Sequence, residues 1–145
     1  MNSVAQRFLF FKIHFFEAKL IDDKSRAQVE ITLAARAESL SIVQSAMEEG
    51  QELANLDEMI RDVRIYRSRL LHFKSSMTIM ERLIADATEA MNANDGQLAL
   101  TLSKKAVDDF IAYRDARHEF RVSLCAAIEK WEKYEKVILN GWKSS

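Results

Sequence analysis

Stepping forward from Leu56 alternately three and four residues, the chain meets Leu56, Met59, Val63, Tyr66, Leu70, Phe73, Met77, Met80, Ile84, Ala87 and Met91, with no charged residue at any step. That spacing keeps one face of an α-helix apolar for ten turns and predicts a single long helix running through "KSS". A second stripe of the same kind, Ala106, Phe110, Tyr113, Arg117, Phe120, Leu124, Ala127, Trp131, Tyr134 and Ile138, carries one polar exception at Arg117. A third, Val29, Leu33, Leu40, Val43 and Met47 with Arg36 as its exception, slips out of phase with Leu20 around "IDDKS", which predicts a kink or short break there. The stretch "RFLFFKIHFFEAKLI" (7–21) holds five of the eight phenylalanines and two stripes side by side. Leu9, Ile13, Phe16 and Leu20 form one, and Phe8, Phe11 and Phe15 the other. Lys12, His14, Glu17 and Lys19 interrupt it, whereas a membrane-spanning helix needs about 20 mostly apolar residues.

Punctuation divides these stripes. The chain has no proline and three glycines, Gly50, Gly96 and Gly141, each closing a long glycine-free run. Glycine is favoured just past a helix C-terminus because it adopts positive φ without a Cβ clash, and "NANDG" adds turn formers before Gly96. Three helices are therefore expected, at about 3–49, 52–93 and 97–140, each roughly 65 Å long if unbroken. Short connections make successive helices antiparallel neighbours, so the expected fold is an all-α, elongated, antiparallel three-helix bundle of coiled-coil type occupying residues 1–145 as one domain. In that arrangement the N-terminal phenylalanines close one end of the core. Their apolar arc is wider than two neighbouring helices cover, so Phe8, Phe10, Phe11 and Phe15 are the candidate partner-binding residues.

Composition narrows the function classes. With 145 residues, 48% apolar and 30% charged, one soluble domain is expected, and a formal charge of −1 gives no global attraction to nucleic acid or an anionic membrane. The single cysteine, Cys125, cannot form an internal disulfide and reads as a small apolar filler, compatible with a cytoplasmic setting. Charge clusters locally. An acidic tip (Glu48, Glu49, Glu52, Asp57, Glu58) precedes a basic run, Arg61, Arg64, Arg67, Arg69 and Lys74, to which the third helix adds Arg114, Arg117 and Arg121 and the first Lys24 and Arg26. Arg61, Arg64, Arg67, Arg69, Lys74, Arg114 and Arg121 are candidate anion-binding residues at a basic waist. Counting from the glycine turns places Trp131 level with Met59 and Val43, and Arg117 level with Phe73 and with Val29 and Glu30, which makes Glu30 the expected partner of Arg117.

Candidate chemistry is sparse. His72 lies off the apolar stripe midway along the second helix, and "LIADATEAMNANDGQLALTLSKKAVDDF" resembles the hairpin downstream of the phosphoaccepting histidine in histidine phosphotransfer domains. Those domains typically carry Lys three residues after the histidine and a glycine after it, whereas here Lys74 is two residues after and Ser75 and Ser76 follow. "RSRLLH" is similar to the R-x4-H element of HEPN ribonucleases, a spacing common in a chain this rich in arginine, and it carries no assignment. No glycine-rich phosphate loop, di-iron carboxylate pair or metal spacing is found, so no cofactor and no metal are expected. The reading is a non-enzymatic scaffold, protein-interaction or oligomerisation module, with a protein partner or a second copy as its ligand and nucleic acid disfavoured. Three long antiparallel helices with a basic waist also resemble BAR-type domains, which implies an alternative as a peripheral module on anionic membranes, and the likeness to histidine phosphotransfer domains implies another, with His72 as the phosphoacceptor.

Overall fold

The computed structural model describes residues 3–47, 53 and 55–143. Three α-helices account for nearly all of them: α1 (Ser3–Ala46), α2 (Leu56–Asn92) and α3 (Gly96–Lys143), and among the described residues there is no strand. The fold is an all-α three-helix bundle. α2 follows the uninterrupted stripe from its first residue, with Leu56, Met59, Val63, Leu70, Phe73, Met77, Met80, Ile84 and Ala87 all buried. α1 is one unbroken helix, so the expected break at "IDDKS" does not occur. There the phase slip marks a change in what the helix buries, from aromatic rings before Asp22 to single leucines after Arg26.

The ends of the helices differ from the glycine count. Gly141 lies inside α3 and does not end it. Gly96 opens α3, and the residue that reverses the chain is Asn94, at φ 58. Asp95 N–H donates to Ala90 O at 2.9 Å and Asn94 N–H to Met91 O at 3.1 Å, the paired bonds of a Schellman C-cap with asparagine in the left-handed position. Asp95 then starts the next helix: its carbonyl accepts from Ala99 N–H at 2.9 Å, and its carboxylate accepts from Leu98 N–H at 3.2 Å, as an N-cap does. Gly50 and Glu48, Glu49 and Glu52 of the acidic tip lie outside the described residues, while Asp57 and Glu58 occupy the first turn of α2 and suit its dipole.

The packing separates into two compact units, each containing a stretch of all three helices. The first holds α1 up to Arg26, α2 from Leu71 and α3 up to His118, and the second holds the remainder of each helix. In the first, Lys12 Nζ donates to Thr88 Oγ1 at 3.2 Å and Lys19 Nζ approaches Glu81 at 3.8 Å. Seven residues forward in α1 thus match seven back in α2, the antiparallel register. Phe8 and Phe15 are buried, and the Phe15 and Phe11 rings meet the edge of Phe110 on α3 at centroid distances of 5.6 and 5.8 Å. Around the α2–α3 turn the buried residues are small (Ala87, Ala90, Ala99, Ser103, Ala106), which lets the two backbones come close. In the second unit Trp131 is fully buried on α3 with Met59 and Val63 of α2 and Leu33 of α1 also buried, as expected for a tryptophan on the stripe. Its ring lies 5.7 Å from that of Tyr66.

Candidate interaction surfaces

Each polar exception on the stripes has found a carboxylate. Arg117 does not reach Glu30, which is exposed; its Nε donates to Asp22 Oδ1 at 2.9 Å. Level counting misses this because helical side chains lean toward their own N-terminus, and the long Arg117 arm therefore contacts α1 further toward its start. The level match to Phe73 does hold, with the Arg117 guanidinium 5.3 Å from that ring. Asp22 also accepts from Tyr113 Oη at 2.6 Å and from Arg26 at 3.1 Å. Arg26, which by sequence belongs to the basic waist, is buried and bridges Asp22 and Asp23. Burial, and then the bond to Asp22, push the Tyr113 phenol far above its ordinary value of 10.0. Next to it, the bond between Lys19 and Asp23 at 2.7 Å lowers the Asp23 carboxyl and raises the Lys19 ammonium.

The second unit has a matching centre at Asp62. Burial opposes its charge, yet bonds from Lys130 at 2.8 Å and Trp131 Nε1 at 3.3 Å hold its carboxyl below the usual range. Arg36, the exception in α1, donates to Glu135 at 3.2 Å and lies 5.6 Å from the Trp131 ring centre. Neither Asp22 nor Asp62 stands out in the sequence as an organising residue. The signal for the first was present in the Asp22–Arg26 spacing of four, which on a helix makes an ion pair.

The expected anion-binding residues fall in both units. Lys74 and Arg114 are exposed in the first, and Arg61, Arg64, Arg67 and Arg121 are exposed in the second. Arg69 is half-buried, its guanidinium stacked 5.0 Å from Phe120 and 5.4 Å from Tyr66, so its charge is partly committed to the fold. Arg61 and Arg64 line a shallow groove with Gln44, Asp57 and Ile60. His72 is exposed on α2. Cys125 is exposed too, so it is not an apolar filler of the core.

The phenylalanine stretch divides between core and surface. Of the four expected partner-binding residues, Phe8 and Phe15 are buried and Phe11 is half-buried, leaving only Phe10 open. The other stripe is the one that faces outward: Leu9 and Ile13 are each 49% exposed, Phe16 42% and Leu20 60%. Together with Lys12 and Glu17 they line a shallow groove of about 480 Å³ along α1. Sequence periodicity gives two equivalent stripes here, and Phe110 on α3 decides between them by taking Phe11 and Phe15.

Among the described residues no group of His, Cys, Asp or Glu is placed to hold a metal ion, and no helix is long and apolar enough to cross a membrane. Comparison of the chain with protein-family models, curated proteins and solved structures returned no match.

Proposed function

We propose that the chain is a non-enzymatic helical interaction module that binds a protein through the outer face of the N-terminal half of α1. The observation that carries this reading is the exposed stripe Leu9, Ile13, Phe16 and Leu20, which lies over a core already filled by Phe8 and Phe15. A helix whose buried face is complete has no folding use for a second apolar stripe, and contiguous exposed apolar surface is costly in water unless something covers it. The spacing of four, three and four is that by which one helix receives another.

The test compares the wild-type chain with the Leu9→Glu/Phe16→Glu double variant, both checked for unchanged helicity by circular dichroism. Wild type should retain a protein partner, another copy or a different protein, after cross-linking and mass spectrometry, and the variant should lose it. If no partner depends on the stripe, the reading fails.

A further inference from the structure

Six residues line the groove on α1: Leu9, Lys12, Ile13, Phe16, Glu17 and Leu20. Lettered as a heptad, they occupy d, g, a, d, e and a, the set through which one strand of a two-stranded coiled coil meets its partner. We infer that the partner is a second copy of this chain, its α1 docked side by side and parallel along this seam. The inference rests on the reading above and makes it specific.

Charge selects both the partner and the direction. In a parallel pair a g residue meets the e residue of the following heptad on the other strand, so Lys12 faces Glu17 of the second copy and Glu17 faces its Lys12, two opposite-charge pairs by symmetry. In an antiparallel pair g meets g and e meets e, which sets Lys12 against Lys19 and Phe10 against Glu17. Neither Lys12 nor Glu17 then meets an opposite charge, since Lys12 faces a lysine already held by its own chain and Glu17 faces an aromatic ring. Parallel self-association alone sets Lys12 and Glu17, the two charged residues that line the groove, each against an opposite charge.

The side chains are available for this. Glu17 is exposed, with His14 one turn back at 3.8 Å. The Lys12 ammonium carries three donors and one goes to Thr88. Lys19, which would otherwise oppose Lys24 at the next step, is held by Asp23 and Glu81 of its own chain. Ile at a and Leu at d, as in Ile13 and Leu9, favour two strands. The seam is twelve residues long, about 18 Å of helix, so the dimer is expected to be weak and concentration-dependent, on the order of micromolar.

Light scattering and sedimentation velocity on the full chain, from about one to several hundred micromolar, should show a shift from the 16.7 kDa chain mass to twice that value. Lys12→Glu alone and Glu17→Lys alone should each weaken the dimer several-fold. The two single variants mixed together should associate more tightly than either alone, and the Lys12→Glu/Glu17→Lys double variant should recover. Direction is read separately: in a Cys125→Ser background, Ile13→Cys should oxidise to a 13–13 cross-link, because only a parallel pair sets residue 13 against itself.

A chain monomeric at every concentration overturns the inference, as does self-association indifferent to both charge reversals. If such a monomer still retains another protein through the stripe, the broader reading stands and only self-association fails; if it retains none, both fail. Stripe-dependent pelleting of a monomer with phosphatidylserine/phosphatidylcholine vesicles would assign the face to a membrane and also overturns it.

Discussion

Asp22 takes three donors from two helices and, at the residue scale, holds the first unit in register. Removing it takes one of two carboxylates from Arg26, which keeps Asp23, and a 2.9 Å carboxylate bond from the mostly buried Arg117, so Asp22→Ala should cost about 3 kcal/mol in urea denaturation. A double-mutant cycle of Arg117→Met with Asp22→Asn should show a coupling of about 1 kcal/mol or more, while Arg117→Met with Glu30→Gln should be additive. Tyr113 makes the same cluster pH-dependent. Its phenol is raised in the fold above 10.0, so the stability it contributes is complete below that value and falls as pH rises past it, when the unfolded chain ionises first. Tyr113→Phe should flatten that alkaline decline while lowering neutral stability by about 1–2 kcal/mol. Legibility at this scale follows reach. Arg117 stood out as a charge on an apolar stripe and its level with Phe73 was countable, because an aromatic ring is met close to the backbone. Its acidic partner was not, because a long side chain selects by direction as well as by level.

The elements were legible where one residue type had one role. Nine of the eleven stripe positions of α2 and most of the Trp131 stripe of α3 carried helix and core together, since the same spacing serves both. Glycine was ambiguous. It favours positive φ and it also tolerates a helix, and the turn between α2 and α3 uses Asn94 for the first while Gly96 sits within α3 with nothing within 4 Å of where a Cβ would stand. The two substitutions therefore run opposite to a glycine-turn reading. Gly96→Ala should stabilise by about 0.5–1 kcal/mol, by removing unfolded-state freedom at a helical position. Asn94→Ala should destabilise by about 1 kcal/mol, and Asn94→Gly should not. Thermal midpoints of the three variants check this, and a less stable Gly96→Ala would return the turn to the glycine. In α1 the same limit appears as two stripes of equal apolar strength, separated only by where Phe110 lies on another helix.

For the molecule as a whole, each unit has its own buried aromatic centre and its own half-buried carboxylate, Phe15 with Asp22 in one and Trp131 with Asp62 in the other, although every helix contributes to both. Helix hydrogen bonds propagate along the chain, but tertiary packing supplies most of a helix's stability, so local opening should follow the packing units more closely than the helices. Trp131→Ala removes a fully buried ring and should cost about 3–5 kcal/mol. Native-state hydrogen exchange then distinguishes two outcomes. If the units open separately, amides of 30–46, 57–70 and 120–138 exchange faster in the variant, while those of 75–90 and 100–115 keep their wild-type protection. Equal acceleration along the whole of α2, across the boundary at Leu70 and Leu71, would instead show that continuous helices bind the two cores into one cooperative domain. The first outcome is expected, because 75–90 packs in the other unit, whereas Tyr66 and Asp62 touch the Trp131 ring directly.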